Sequence, residues 1–465
     1  MPAGIFQRAG NVADALLKQV IIPRIVDLLP TSALLLELIK NRETTNAEGL
    51  FVRSLARVGR NPSPQFRPDM GPIPPAGRQG YAEIRENTRQ WWGSLAVSDS
   101  VLESTKSDDE AFINALDGEV SGLIDDARNY INRMAYLTGD GVLALVAGIH
   151  AVGATTINLR GPGSRYFVDN IGADIGFYPV GVARQNLAPG DLLVAVGRQR
   201  VATVVDTDTI TIEAPGLGAA LADGDRVCLA GSDLSATVTN ASTVGNSVLG
   251  LLALVDDGTF RDVLHNVSHT LQARWNSEII RGAGGDPAAI ELDEGAGAAD
   301  ASEPFDFLQR LVDGVHNRSG AYPEVLITDH AGKRRFQALL AADVRFEPLS
   351  LRGGYEVLTY SGGGKPLPFI VDKDCVHGMS SDGSDGAAVL GRLLRTFYFA
   401  LNLDGFALLE RTPMHFRDYD GSILVRDPNR SPFFEAQAGW AFNFLCLEPH
   451  KQGMLADIAV RSLPD

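Results

Sequence analysis

Cysteine is scarce in this sequence, and its few copies lie far apart. The 465 residues contain three cysteines, Cys228, Cys375 and Cys446, and none of them belongs to a CxxC pair. A disulfide framework or a zinc knuckle would need closely and regularly spaced cysteines. The sequence therefore argues against both classes and is typical of a reducing compartment.

Long apolar runs are also missing. The stretch Leu34–Ile39 is mostly apolar but short, and Pro23, Pro30 and nearby charges interrupt its surroundings. A membrane-spanning helix needs about 20 predominantly apolar residues. The N-terminus has no compact apolar segment followed by a cleavage site, so no secretory signal is predicted. We expect a protein of the cytoplasm, or of an assembly that is built there.

Sequence motifs for nucleotide binding and for nucleophilic catalysis are lacking. The GGGK run of residues 362–365 precedes Pro366 and lacks the upstream glycine of a phosphate-binding loop, so it predicts a β-hairpin turn. No GxSxG elbow occurs. Asp329 beside His330 resembles an acid–base pair, but helix N-capping by Asp329 explains it more simply. We therefore predict no catalytic residue and no cofactor.

One histidine pair has a spacing that suits zinc. His265 and His269 stand four residues apart within a predicted helix, Asp257–Ile280, but Asn266 occupies the place of the glutamate in HExxH. The apolar stripe of this predicted helix leaves both histidines on its polar side. A solvated helix face is therefore preferred to a metal site.

The sequence does contain a basic, proline-rich arm between Leu50 and Val97. Two strands are predicted, Leu50–Val58 and Tyr81–Val97, and the segment between them contains six prolines. An isolated two-stranded ribbon is only marginally stable in water. Either the arm is disordered, or another chain orders it.

The arm is positively charged although the whole chain has a net charge of −16. Its net charge is +4, from Arg53, Arg57, Arg60, Arg67, Arg78, Arg85 and Arg89 against Asp69, Glu83 and Glu86. An acidic cluster follows it, with Asp108, Asp109, Glu110 and Asp117. Opposite charges on every copy suit contacts between copies, although two separately solvated faces would give the same pattern. Trp91 and Trp92 point to opposite faces of a strand and are further contact candidates.

A long amphipathic helix is predicted over Asp108–Leu137. Ser107 and Glu110 have capping-box spacing, apolar residues recur every three or four positions, and Gly139 begins the segment that stops the helix. About 30 residues at ~1.5 Å each give a length of roughly 45 Å. This length suits a plate-like subunit.

The rest of the chain divides into three parts. Residues 1–49 predict helical pieces, Val12–Val20 and Ser32–Ile39, which form either an N-terminal arm or a frayed leader. Residues 153–232 predict a small barrel or sandwich with strands Asp191–Val196, Val201–Val205, Thr209–Ile212 and Arg226–Leu229. From residue 245 onwards the pattern mixes helices and strands.

The order of these elements resembles the tailed-bacteriophage major capsid protein family. The resemblance rests on SDDEAFINALDGEVSGLIDDARNYINRMAYLTGDGVLA, AYPEVLITDHAGKRRFQALL, LRGGYEVLTYSGGGKPLPFIVDKDC and FYFALNLDGF, and it covers roughly Leu50 to Ile458. It implies an α+β fold with a long spine helix, an extended two-stranded loop and an inserted small all-β module.

The resemblance also implies a domain division and a role. The implied parts are an N-terminal arm (1–49), an extension loop (50–106), the spine helix with the first part of a peripheral domain (107–152), the inserted module (153–232), an axial domain (233–395), and peripheral strands with the C-terminus (396–465). Copies would form pentamers and hexamers of an icosahedral shell around double-stranded DNA, in the host bacterial cytoplasm. Neither sequence-specific DNA binding nor a membrane is implied.

Two departures from the family pattern matter. Some members link subunits through a lysine of the extension loop, but Leu50–Val97 contains no lysine, and arginine is a poor nucleophile because it stays protonated. We therefore expect noncovalent contacts or a decoration protein. The 49 residues before the loop are also short for a built-in scaffold, so a separate scaffolding protein is expected beside a portal. A cellular encapsulating compartment and a soluble α+β enzyme with a disordered loop at 58–80 remain alternatives.

Overall fold

A computed structural model gives the fold of the chain. It describes residues 34–40, 44–46, 51–69, 71–98, 109–160, 167, 171–182, 191–206, 209–229, 246–281, 306–340, 349–350, 356–357, 359–362, 365–375, 394–418, 425–426 and 433–460. The predicted helix Val12–Val20 lies outside these residues.

Within these ranges the elements follow one another as mixed helices and strands. The α-helices are α1 (Leu34–Lys40), α2 (Asp109–Met134), α3 (Leu251–Leu254), α4 (Asp306–Ser319) and α5 (His330–Leu340). The strands are β1 (Thr44–Asn46), β2 (Phe51–Gly59), β3 (Gly80–Asn87), β4 (Arg89–Ser98), β5 (Val142–Val146), β6 (Thr156–Arg160), β7 (Asp174–Tyr178), β8 (Gln199–Asp206), β9 (Thr209–Ile212), β10 (Arg226–Leu229), β11 (Val263–Leu264), β12 (Val267–Ser268), β13 (Glu278–Ile280), β14 (Val325–Thr328), β15 (Leu349–Ser350), β16 (Glu356–Val357), β17 (Thr359–Gly362), β18 (Lys365–Val371), β19 (Leu394–Leu401), β20 (Phe406–Phe416), β21 (Val425–Arg426), β22 (Phe433–Cys446) and β23 (Gly453–Val460).

The chain divides into two compact units, and the first contains residues 1–52, 87–135 and 407–444. Its sheet has the order β1-β20-β22-β21, and β4 pairs with β22 over ten residues, from Ser98 opposite Phe433 to Arg89 opposite Phe442. Helix α2 packs against β4 and α1. It buries Val120, Ile124 and Ala127, and these apolar residues at helical spacing explain why the segment forms one long helix.

The second unit contains residues 53–86, 136–406 and 445–465. Its main sheet has the order β13-β23-β19-β14-β18-β17 and mixes parallel and antiparallel pairs. Helices α4 and α5 supply Leu311 and Phe336 to a core that also contains Phe369, Tyr398 and Leu455. These side chains come from elements far apart in sequence, so the core can form only when the whole unit folds.

A closed six-stranded barrel belongs to this second unit. Its strand order is β10-β5-β6-β9-β8-β7, with β10 paired to both β5 and β7. The interior is filled by buried side chains such as Ile157, Phe177, Val201 and Val227, so the barrel is a packed module without a lumen. The small β module expected from the sequence is thus a barrel, and it also includes β5, which precedes residue 153.

Several local predictions are confirmed. The GGGK run lies at a hairpin in which Gly362 pairs with Lys365. The Asp329 carboxylate Oδ1 accepts the Gly332 N–H at 2.7 Å and the Thr396 hydroxyl at 2.6 Å, as expected for a cap of α5. The fold class is α+β, with the predicted long helix, two-stranded loop and inserted module.

The prediction of a helix over residues 257–280 is wrong. This segment forms the hairpin β11–β12, a short 3₁₀ turn at Ala273–Trp275 and β13. Two members of the supposed apolar stripe are exposed, Val263 by 43% and Leu271 by 79%. The segment is rich in Asp, Thr, Ser and Asn, and such side chains compete for backbone groups and so favour turns over helix.

One further expectation is corrected. Asp191–Val196 is not a strand, because the Val196 N–H bonds to the Leu193 oxygen in a tight turn. The last strands of the chain belong to two sheets, with β20 and β22 in the first and β19 and β23 in the second, and the expected peripheral domain stays a prediction. Residues 397–401 of β19 are all buried, and this burial places β19 at the centre of a covered sheet.

Candidate assembly interface

The arm of residues 51–87 is a two-stranded ribbon formed by β2 and β3. None of the described residues from 51 to 83 is buried. The ribbon narrows where Gly59 meets Gly80, because a Cβ on Gly59 would lie 3.2 Å from the Gly80 Cα. Residues 60–79 therefore leave and rejoin the ribbon at one point, and we call them the arm tip.

The two faces of the ribbon differ in exposure. Along β2, exposed residues alternate with half-buried ones, as the two-residue period of a strand requires. Phe51, Arg53, Leu55 and Arg57 are the exposed set. This face is a mixture of apolar and cationic side chains.

Large apolar side chains of the arm lie in the open. Phe66 and Ile73 of the tip are essentially fully exposed, at 107% and 91%, and Leu55 and Tyr81 of the ribbon are exposed by 69% and 62%. A monomeric soluble protein rarely exposes contiguous apolar patches larger than a few hundred Å². The arm therefore has the character of a surface that another molecule covers.

The predicted arginines fall into two groups. Arg53 forms a two-contact ion pair with Glu83 across the ribbon, with an Nε–Oε1 distance of 2.7 Å. Arg57, Arg60 and Arg78 are exposed and make no ion pair with any residue that the structure describes. The sequence could not separate these groups, because the Arg53–Glu83 pair depends on how the strands are aligned.

The remaining arm arginines have contacts within their own chain. The Arg67 guanidinium donates to the Gln65 side-chain oxygen at 3.1 Å. The Arg85 backbone N–H donates to the His265 carbonyl at 2.9 Å, while its side chain is exposed. Arg89 is half-buried in β4. Arg67 and Arg89 are therefore less available to a partner than Arg57, Arg60 and Arg78.

The acidic candidates lie at the start of α2. Asp109, Glu110 and Asp117 belong to that helix, and their pairing with a neighbouring copy stays a prediction. Asp108 lies outside the described residues. Further along the helix, Asp125 is exposed and accepts from Arg128 at 2.8 Å.

Trp91 and Trp92 project from opposite faces of β4, as adjacent strand residues must. Trp91 is half-buried. Its ring and the Leu123 side chain of α2 fill the space beside Gly93, since a Cβ added to Gly93 would lie 2.6 Å from the Trp91 ring. Trp91 thus contributes to packing within the first unit.

Trp92 is the more accessible of the two. It lies over Gly439 of the paired strand, and the Arg417 guanidinium stands 5.3 Å from its ring centroid. Its side chain remains 48% exposed. A contact of Trp92 with a neighbouring copy stays a prediction.

The arm ends near Glu86 in β3, and we call this end the root of the arm. It contains a buried polar contact that sequence reasoning missed. His265 Nδ1 and Glu86 Oε2 are 2.9 Å apart, and the Cys446 backbone N–H donates to His265 Nε2 at 3.1 Å. Both side chains are buried, with exposures of 1% for His265 and 7% for Glu86. The expectation of a solvated histidine face is therefore wrong.

A weak signal for this turn exists in the sequence. His265 and Asn266 form a two-residue connection between the short strands β11 and β12, and both turn residues have positive φ, 50° and 69°. Such turns usually show Asn-Gly or Asp-Gly, so the His-Asn dipeptide did not stand out.

His269 is buried at 1% exposure as well. Its Nδ1 is 2.9 Å from the Asn276 side-chain oxygen, and burial lowers the pKa of its imidazole. Within the described part of the chain, no group of three His, Cys, Asp or Glu side chains is placed to hold a metal ion.

Two adjacent aspartates, Asp256 and Asp257, precede the hairpin β11–β12, and their pKa values are shifted in opposite directions. Burial, helped by the neighbouring Asp257 carboxylate, raises the pKa of Asp256 to about 7, although its Oδ2 accepts the Phe260 and Arg261 N–H groups. Burial would also raise the pKa of Asp257. The bidentate contact from Arg281, at 2.6 and 2.8 Å, outweighs that effect and holds its pKa below the ordinary value.

We expect Asp256→Asn to stabilise the subunit increasingly as pH rises. The unfolded carboxyl ionises near pH 3.8 and the folded one near 7, so wild-type stability falls as pH rises through this window. The asparagine removes this loss while keeping an oxygen for the two N–H donors. The difference in free energy of unfolding should grow from pH 4 to pH 7 by up to about 4 kcal/mol.

Denaturant titrations of both proteins from pH 4 to pH 8 measure this difference. Asp257→Asn is the matched control with the opposite sign. Because the folded pKa of Asp257 is lowered, its stabilisation is present above pH 3.8 and is lost only in stronger acid. The replacement should therefore destabilise the subunit at neutral pH. A stability difference for Asp256→Asn that stays constant with pH would contradict the assignment.

No protein-family model and no curated protein matches the sequence. None of the helices in the described ranges is long and apolar enough to cross a membrane.

Solved structures of shell proteins are similar to the chain over most of its length. The Cyanophage A-1(L) capsid asymmetric unit is matched over 92% of this chain and 93% of that chain, with 10% identity and a TM-score of 0.49. The capsid of an empty GTA particle is matched over 92% and 91%, with 10% identity and a TM-score of 0.44. The SrpI encapsulin of Synechococcus elongatus PCC 7942 is matched over 94% and 90%, with 11% identity and a TM-score of 0.38. These likenesses concern the course of the backbone alone.

Proposed function

We propose that this chain is the structural subunit of an icosahedral shell that encloses double-stranded DNA. The observation that supports the proposal is the arm: from residue 51 to 83 it buries no described side chain, yet it exposes Leu55, Phe66, Ile73 and Tyr81. An extended ribbon of this kind is only marginally stable through the contacts with its own chain. Its order is explained if a neighbouring copy covers it.

Charge favours a second copy as the molecule that covers the arm. Of the three arm acids, Glu83 is paired with Arg53 and Glu86 contacts His265. The arm as a whole keeps a net charge of +4. The chain as a whole has a net charge of −16, so another copy attracts the arm. Since every copy has both surfaces, the contact repeats head to tail and can close rings such as pentamers and hexamers.

The contacts in this shell are noncovalent. The arm has no lysine to form an amide link, and Arg57, Arg60 and Arg78 are free to make reversible ion pairs with the α2 acids of a neighbour. The DNA is enclosed without sequence-specific binding. A portal, a separate scaffolding protein and a decoration protein complete the particle, which assembles in the host cytoplasm.

The contents of purified particles test this function. Particles from cells that make the complete assembly should contain double-stranded DNA that survives nuclease treatment. Particles that hold an enzyme and no protected DNA would instead identify a cellular compartment. A stable monomer whose 58–80 loop is cut by protease would favour the enzyme alternative.

The same particles also test whether the contacts between subunits are noncovalent. On a denaturing gel the shell protein should run as one band at the mass of the single chain, 49.7 kDa. A ladder of higher-mass bands would contradict it.

A further inference from the structure

We infer that the hydrogen bonds of His265, including the one with Glu86, fix the root of the arm and so set the direction in which the ribbon leaves its subunit. We call this set of hydrogen bonds the clasp. The consequence for assembly rests on the proposed shell function, whereas the clasp itself is a property of the single chain.

His265 joins three segments that are distant in sequence. Its carbonyl accepts the Arg85 N–H at 2.9 Å, its Nδ1 lies 2.9 Å from Glu86 Oε2, and its Nε2 accepts the Cys446 N–H at 3.1 Å. Because Nε2 accepts a hydrogen bond, the ring proton is on Nδ1 and is donated to Glu86. One residue therefore uses its backbone and both ring nitrogens to hold strand β3 against the C-terminal end of β22.

These hydrogen bonds matter for stability because Glu86 is buried. In the described chain from residue 51 to 94, Ile84 and Glu86 are the buried residues. A carboxylate that is removed from water needs its hydrogen-bond partners, so loss of the histidine would be costly at this point.

The backbone of His265 indicates that its side chain is needed there. His265 and Asn266 adopt φ angles of 50° and 69°, a region that non-glycine residues enter at a cost. Such a conformation persists where surrounding contacts over-determine it. Asn266 is exposed, and its side chain makes no hydrogen bond with a residue that the structure describes. Of the two turn residues, it is therefore His265 whose side chain helps to hold this conformation.

A small movement at the root becomes a large movement along the arm. The seven residues from Glu86 to Gly80, separated by six steps of ~3.3 Å, span about 20 Å. A rotation of about 10° at the root would move the far end of the ribbon by roughly 3.5 Å. That displacement is comparable to a side-chain contact distance, so the clasp controls whether the arm meets its target.

Four variants test whether the clasp orients the ribbon or only stabilises the subunit. His265→Gly suits the positive φ and keeps the backbone bond to Arg85, but it removes both ring contacts. Glu86→Ala removes the acceptor, while Glu86→Gln keeps an oxygen for the Nδ1–H. Asn266→Gly is the matched control, since it relieves the neighbouring positive φ without touching the clasp.

The readout is the distance distribution between spin labels on unassembled subunits. Labels on Gln79→Cys and Asn317→Cys, both exposed positions in the second unit, report on the ribbon against the body, and the native cysteines are buried. We expect His265→Gly and Glu86→Ala to broaden the distribution at least twofold. Glu86→Gln and Asn266→Gly should keep the wild-type width.

Two results would overturn the clasp: wild-type widths for both His265→Gly and Glu86→Ala, or equal broadening for Glu86→Gln and Glu86→Ala. Each variant is also assembled, and at least a tenfold loss of closed shells is expected for the first two. If the wild-type chain forms no shell, the proposed function fails while the label distances still decide the clasp.

Discussion

Replacing the arm tip, residues 60–79, by an Asn-Gly turn should abolish shell formation and leave the folded subunit intact. None of the described residues of the tip is buried, so its removal takes nothing from a core. The ends are already adjacent, since a Cβ on Gly59 would lie 3.2 Å from Gly80. Asn-Gly is the preferred two-residue hairpin connection. The midpoint of thermal unfolding should therefore stay within about 2 °C of wild type.

Sedimentation and electron microscopy measure the assembly of this variant. A second variant, in which the tip is replaced by a Gly/Ser linker of equal length, separates chain length from chemistry. It should also fail to assemble, because it lacks Phe66, Ile73 and the tip arginines. Closed shells at wild-type yield from either variant would show that the tip is dispensable and would contradict the proposed interface.

Reversing the charge of the three free arm arginines should reduce the yield of shells at least tenfold. The change is Arg57→Glu with Arg60→Glu and Arg78→Glu. Each exposed ion pair contributes only about 0.2–1 kcal/mol, but the same contact recurs at every subunit, and reversal turns attraction into repulsion. The monomer should keep its stability, since these side chains are exposed and make no ion pair with a described residue.

The matched control for this experiment is the exchange Arg53→Glu with Glu83→Arg. It keeps the cross-ribbon ion pair and the net charge, so assembly should be retained. Wild-type assembly should also weaken as salt is added, because exposed charges are screened over about 10 Å at ~0.1 M. Unchanged yield from the triple variant would remove the electrostatic part of the proposal and leave only apolar contact.

Strong local patterns made much of the fold predictable. Helix α2 was found from its capping box and its apolar stripe, and the arm was found from its prolines and its lack of core residues. The GGGK turn was predictable from its glycines and from the proline-containing strand that comes after them. In each case a short stretch of sequence carries the whole physical reason, so no knowledge of distant residues was required.

The region around His265 was not predictable from sequence in the same way. Its apolar residues fall at helical spacing, but the segment folds as a hairpin because polar side chains and a two-residue turn outweigh that spacing. The Glu86–His265 contact joins residues 179 apart in sequence, and the Cys446 N–H lies 181 residues from His265. Such contacts depend on tertiary packing, which one sequence does not reveal.

The position of the arm in an assembled particle decides whether it acts between subunits. Cryo-electron microscopy of particles formed by the wild-type chain should show closed shells in which residues 51–83 lie over an adjacent copy, with Leu55, Phe66 and Ile73 buried at the contact. A protein that remains monomeric, or shells in which the arm touches only its own subunit or solvent, would contradict the proposal.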